Sequence, residues 1–442
     1  MTMACTLIFN ANVAGRGTGW VLVHDSFIAN TGVGTAPDAV LHLDGLRAID
    51  AGGRLLMPGV IDCHVHFREP GLTDNADIYS ESRAAAAGGT TSFFDMPNTV
   101  PQTTGHAEMQ QKADIAARTS VANYAFFPGA TDSNTDELLA LDPSSIPGIK
   151  LFLGSSTGNM LVKNNEALDR LFAGARVPIV VHAEDEAIIS ANTAAAIKQY
   201  GSREAVPVTR HPHIRSAEAC LAATARAITL AEKHGAHLHI AHVSTADEIG
   251  LIRRARARGL ARITCEVSPH HLLFCDDDYA TLGTRIKINP SVKSAAHRDA
   301  LRRAVSDGTV DIIATDHAPH VLSRKQGGAL TAASGAPMVQ FAACAMLGLF
   351  GPETVSRTMC ANPANIFGVR QRGILKAGMY ADLVLYSRHQ YTVTDADVLS
   401  KCGWTPLSGQ TLDYKADTVL INGLTYSADM PFRPGMPLTF SH

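Results

Sequence analysis

VIDCHVHF, residues 60–67, is an apolar run that turns polar at its end, and seven more runs of that kind follow it along the chain. They are TSFFDMPN (91–98), NYAFFPGA (123–130), GIKLFLGSS (148–156), PIVVHAE (178–184), HLHIAHVS (237–244), ARITCEVSPH (261–270) and DIIATDHAPH (311–320). Alanine-rich stretches with apolar positions near helical spacing separate them, as in AEACLAATARAITLAEKHG at 217–235. Eight strand–helix units between residues 58 and 367 predict an α/β fold, a (β/α)8 TIM-like barrel, which typically takes around 250 residues. A doubly wound open sheet shares the local pattern; the count favours the barrel.

Outside that rhythm the chain reads differently. LIFNANV, WVLVHDSFIAN and LRAIDAGG near the start, with ADLVLYS and DTVLINGLTY near the end, read as short strands separated by turns. They predict a small β-sandwich-like domain composed of both termini, residues 1–57 with 368–442, beside a barrel at 58–367. A chain of 442 residues exceeds the size at which one core stops growing, so two units are expected. With 46% hydrophobic and 18% charged residues and a net charge of -3, the balance is that of a soluble protein. It offers no basic field to a phosphate backbone, so no nucleic-acid partner is expected. The eight cysteines form no CxxC pair, which points to free thiols in a reducing compartment. The first residues lack a basic leader, and the longest apolar run, near Val339–Phe350, is too short to cross a bilayer. A cytoplasmic protein with no membrane partner is expected; a homo-oligomer is compatible with the sequence.

The chemistry gathers at the strand ends. In a strand, alternate side chains face opposite ways, so His64 and His66 are expected on one face, with Cys63, Val65 and Phe67 on the other. An HxH pair alone is equally an ordinary pair of loop histidines. Three more strand ends change that reading: His182 closes the fifth run, His242 the sixth and Asp316 the eighth. Histidines and a carboxylate converging at the C-terminal mouth of a barrel make an N/O ligand set for a metal ion. His237 and His239 have the opposite facing from His242 along the sixth run and are expected on the helix side.

Lys150 sits in GIKLFLG, an otherwise apolar strand, where a bare ammonium would cost several kcal/mol. It could face outward, pair with a carboxylate or reach to the rim; alternatively its neutral amine takes up CO2, and the carbamate bridges two metal ions. With that bridge the expected site is binuclear, His64, His66 and Asp316 holding one ion and His182 and His242 the other. A water-derived hydroxide would complete the bridge, acidified by the ions. Zinc is the default for such a set.

PGVIDCHVHFREPG (58–71), IKLFLGSSTG, HAED, AHVS and TDHAPH resemble, in that order, the amidohydrolase superfamily and within it the dihydroorotases. The likeness extends through NPANIFGVRQRGILKAGMYADLVLYS (362–387) and the terminal strands. It implies reversible hydrolysis of the cyclic amide of dihydroorotate to N-carbamoyl-L-aspartate in pyrimidine synthesis, with Asp316 as acid/base. The small-molecule substrate carries a ring carboxylate. The resemblance implies that Arg68, Asn98 and His320 hold it, that Asn289 contacts substrate, and that the backbone at Ala336 and Pro337 contacts the ring. Taken alone, Arg68 is equally a rim arginine in a salt bridge. Some bacterial dihydroorotases carry aspartate where this chain has Lys150, which places it in the lysine-bearing branch. SGAPMVQ (334–340) departs from the more usual glycine-rich stretch. Hydantoinases and dihydropyrimidinases share the metal ligands but typically lack the arginine after HxH; allantoinases keep a similar EPG turn and the lysine. A metal-free homologue kept as a structural partner, for example of a carbamoyltransferase, would usually have lost ligands that are all present here.

Overall fold

A computed structural model describes residues 5–154, 160–260, 262–427 and 432–442. The end of the IKLFLGSSTG motif, from residue 155, lies outside the described residues, as do residues 1–4 of the first terminal segment. The chain opens with β1 (Cys5–Val13), β2 (Gly17–His24), β3 (Phe27–Val33), β4 (Leu46–Asp50) and β5 (Leu55–Pro58). The barrel strands follow: β6 (Val60–Val65), β7 (Thr90–Asp95), β8 (Asn123–Phe126), β9 (Ile149–Phe152), β10 (Ile179–His182), β11 (Leu238–Ile240), β12 (Ile263–Val267) and β13 (Ile312–Ile313). The chain closes with β14 (Leu383–Thr392), β15 (Thr411–Ile421) and β16 (Leu424–Tyr426). The eight runs read from the sequence each contain one barrel strand.

β6–β8 form one parallel sheet and β9–β13 another. Isolated parallel bridges link them at both seams. At one, Gly129 pairs with Lys150, and the Ala130 N–H donates to the Lys150 carbonyl at 2.8 Å. At the other, Val65 pairs with His317, and the His66 N–H donates to the His317 carbonyl at 2.8 Å. Ile61, Phe94, Val180, Ala241 and Ile312 fill the interior. Ile149, Leu151, Ile179, Val181, Leu238 and Ile240 pack outward onto helix residues such as Leu168, Ala227 and Ile252. Each such branched side chain contributes about 1.5–3 kcal/mol on burial. The helix Ala217–His234 shows how the sequence builds that outer layer. Ser216 caps its start by accepting the Ala219 N–H, and Gly235 ends it in the left-handed region at φ 66°. Ala219, Ala223, Ala227 and Ala231, four apart, form the buried stripe on which it lies against the strands.

The termini supply one sheet, ordered β16-β15-β14-β5-β1-β2-β3 with β4 beside β1. Its two faces bury different clusters, Ile8, Val21, Leu56 and Leu383 on one and Leu7, Trp20 and Leu22 on the other. The segment between β14 and β15 carries Trp404, fully buried, whose indole N–H donates to the His320 carbonyl at 2.7 Å. Trp404→Ala is therefore expected to cost about 3–5 kcal/mol of stability. Denaturant unfolding checks this; a change within about 0.5 kcal/mol would mean that the anchor carries no packing energy.

Two facing expectations fail, both where the backbone leaves regular alternation. The β6–β7 register shifts between Asp62 and Val65, so Cys63 joins the interior with Ile61 while Val65 and Phe67 pack outward against Ile78 and Ala84. β11 ends at Ile240, and His242 lies in the left-handed region at φ 35°, so parity does not carry from one to the other. His239 consequently faces Glu266 on β12 rather than the helices, its Nε2 3.2 Å from Oε2.

Candidate active site

The C-terminal ends of the strands gather nearly all the residues singled out above. His64 lies in β6 with His66 just past it, Lys150 lies in β9, His182 closes β10, and His242 and Asp316 follow β11 and β13. A cavity of about 40 Å³ is lined by His64, His66, Arg68, Asn98, Lys150, His182, His242, Asn289 and Asp316, with Phe152, Ala318, Ser334 and Gly335. Arg68, His242 and Asp316 all have positive φ (69°, 35° and 48°), conformations that cost non-glycine residues energy and concentrate at functional sites.

Among the described residues, ligand atoms of His64, His242 and Asp316 all lie within 4.8 Å of one another. Asp316 Oδ1 is 3.1 Å from His66 Nε2 and 3.4 Å from His64 Nε2. Nδ1 of His182 and Nε2 of His242 converge to 2.9 Å. The rings are held from behind. His64 Nδ1 meets Glu266, His66 Nδ1 lies 2.8 Å from Asn98 Oδ1, and His182 Nε2 lies 3.0 Å from Glu184 Oε2. A ring nitrogen fixed this way leaves the other turned into the cavity, the arrangement metal-binding histidines use. Burial lowers the pKa of His64, His66, His182 and His242, so the imidazoles are neutral and carry free lone pairs.

Lys150 is 1% exposed, and its Nζ has no hydrogen-bond partner among the described residues. Burial brings its pKa down to about 8, within reach of the neutral amine. Burial raises the pKa of Asp316, while His64 and Lys150 oppose that shift.

Beside this cluster stands a donor wall. Arg68, 2% exposed, donates from Nε to the Pro319 carbonyl at 3.0 Å, and its Nη2 lies 3.1 Å from His320 Nε2. His320 Nε2 also lies 3.1 Å from the Ser334 carbonyl, so it sits between a donor and an acceptor, and burial next to Arg68 lowers the His320 pKa to about 2. Ser334 and Gly335 close the wall. Gly335 has φ 128°, and a Cβ there would come within 2.6 Å of the Ala318 carbonyl oxygen. Ala336 and Pro337 are buried behind these two and are not among the lining residues.

The family model for the amidohydrolase family matches residues 55–425. The chain belongs to the amidohydrolase family. That makes it a hydrolase. Dihydroorotase from Halobacterium salinarum is 38% identical over 402 residues, covering 89% of this chain and 90% of that protein. Dihydroorotase from Lactiplantibacillus plantarum is 35% identical over 398 residues, covering 85% and 89%. The solved structure of L-hydantoinase (dihydropyrimidinase) from Arthrobacter aurescens superposes with a TM-score of 0.88 at 26% identity, covering 98% of this chain and 97% of that one.

Several residues of this amidohydrolase site were not singled out in the sequence. Glu266, on β12, contacts His64, His239 and the His242 N–H. Burial works against its charge, yet His64 and His239 hold its pKa well below the usual range. The same desolvation on Glu184 is outweighed by Arg215 and His182, which leave it at about 2. A lone acid inside the apolar strand ITCEV is the same kind of anomaly as Lys150 and could have been found by the same test. Lys325, buried, donates to the carbonyls of Lys287, Ala333 and Gly335 at 3.0, 2.8 and 2.7 Å and so fixes the loop that lines the cavity. Nothing local in the sequence marks it.

Proposed function

We propose that this chain hydrolyses and re-forms the cyclic amide of dihydroorotate, interconverting it with N-carbamoyl-L-aspartate. The observation that carries this reading is that buried Arg68 and Asn98 line the same cavity as the histidine–aspartate cluster, with His320 in contact with Arg68; it supports a carboxylate site beside a hydrolytic centre. The relatives that bear the name dihydroorotase support it. The runner-up, hydantoinase, dihydropyrimidinase or allantoinase chemistry, draws support from the L-hydantoinase likeness; a neutral ring would give buried Arg68 no partner of opposite charge.

The donor set fits divalent metal ions: four neutral imidazoles, a carboxylate and an unpartnered buried amine that would otherwise cost several kcal/mol. In each subunit His64, His66 and Asp316 would hold one zinc ion and His182 and His242 a second, with Lys150, as its carbamate, a further ligand. That group forms when the neutral amine adds to CO2 and releases a proton. Ions bound there supply acidification of a water and polarisation of an amide carbonyl. The chain's own groups do the rest. Arg68 pairs with the ring carboxylate, and Asn98 and His320 fix its plane, so the scissile amide is presented to Asp316 in one orientation. Asp316 accepts the proton of the attacking water and returns it to the departing amide nitrogen; ring closure reverses these transfers. Asn289 lines the same pocket.

The barrel at 58–367 is the catalytic domain in this reading, and 1–57 with 368–442 is the companion domain. A cytoplasmic location without nucleic-acid or membrane partners accords with the composition. Among the described residues no helix is long and apolar enough to cross a membrane.

Ring-opening of dihydroorotate is expected in zinc-loaded protein, lost on chelation and restored by zinc; equal activity in fully chelated protein would rule the metal site out. Beyond the mass of the bound zinc, the intact loaded protein should exceed the acid-quenched chain by one CO2, and Lys150→Ala should abolish that increment. A difference accounted for by zinc alone would remove the carbamate.

A further inference from the structure

A second cavity, of about 450 Å³, adjoins the catalytic one and shares Asn289 and Ser334 with it. Arg203, Arg215 and Lys287 line it, with Glu186 the one carboxylate among the described lining residues. Arg203 is exposed and donates to the Leu330 carbonyl at 3.0 Å; Arg215 is paired with Glu184, and Lys287 with the Ala332 carbonyl. Arg203 and Lys287 each carry more N–H donors than those contacts use.

His211, 2% exposed, also lines the cavity. Its Nε2 lies 2.8 Å from the Ile288 carbonyl and must carry the ring proton, so Nδ1, buried and without a partner, is a bare acceptor. Burial beside Lys287 and Arg215 keeps the ring neutral. Asn289 Oδ1, on the wall common to both cavities, is likewise buried and without a partner. The cavity thus combines cationic donors for carboxylates with two unsatisfied acceptors for N–H groups.

We infer that this cavity is an antechamber that binds open-chain ureido acids, with carboxylates toward Arg203 and Lys287 and ureido N–H groups toward His211 Nδ1 and Asn289 Oδ1. A closed cyclic amide presents fewer N–H donors and one carboxylate, so the antechamber favours the ring-opened partner of the reaction. The inference rests on the substrate reading above for its biological ligand. The cavity itself is tested without turnover.

N-carbamoylglutamate and glutarate, the same dicarboxylate with and without the ureido group, are titrated calorimetrically into zinc-loaded enzyme. Two equivalents of the ureido acid are expected per chain, and Arg203→Gln should weaken one of them about tenfold, the effect of losing a charged hydrogen bond. His211→Phe should weaken the ureido acid about fivefold at that same equivalent and leave glutarate unchanged, the effect of losing one neutral hydrogen bond. The exposed Arg203 keeps the test valid even where His211→Phe does not fold. One equivalent in the unmodified enzyme, or two that Arg203→Gln leaves untouched, would overturn the antechamber. A second equivalent in protein that fails to turn over dihydroorotate would overturn the substrate reading instead.

Discussion

Replacing Asp316 with alanine should lower kcat about 10³- to 10⁴-fold, close to the upper end of what one acid–base group contributes. Its carboxylate lies within 3.1–3.4 Å of His66 and His64, so the substitution removes the oxygen proposed to ligate metal together with the proposed proton carrier. Asp316→Asn separates the two roles: the amide keeps a ligand oxygen and the shape of the site but carries no transferable proton. Metal analysis of both variants alongside steady-state rates is the check. A well-loaded Asn variant with near-normal kcat would take Asp316 off the proton path.

The second large effect belongs to Arg68. Its guanidinium is buried, anchored to the Pro319 carbonyl and in contact with His320, and the residue lines the cavity. A charge-assisted hydrogen bond contributes about 1.5–3 kcal/mol, so Arg68→Ala should lower kcat/KM for dihydroorotate roughly 10- to 150-fold. Rings without a carboxylate should change about twofold or less. Lysine at this position should recover only part of the loss, because it lacks the planar fork that engages both oxygens. An unchanged kcat/KM for dihydroorotate in the alanine variant would detach Arg68 from the substrate carboxylate.

The barrel was legible because each of its strands is a short apolar run ending in polar residues, with a helix of small residues after it. The companion sheet was legible because strands at both ends need partners, and β5 pairs with β14 across the length of the chain. The gathering of the strand-end histidines with Asp316 also followed from position, each lying at or just past the C-terminal end of a barrel strand. Parity failed where the backbone departs from a regular strand, at the β6 register shift around Cys63 and at the left-handed His242. Glu266 went unread because it was not put to the burial test that singled out Lys150. Lys325 ties the pocket loop to Lys287 at a separation of 38 residues and Trp404 reaches His320 at 84, and no local pattern marks such contacts.

Substrate choice is read most directly by one measurement: kcat/KM of the zinc-loaded enzyme for dihydroorotate, hydantoin and allantoin under identical conditions. The arginine wall predicts a preference for dihydroorotate of about 10²-fold or more, the scale set by one buried charge pair. Turnover of hydantoin or allantoin at equal or greater kcat/KM would contradict it.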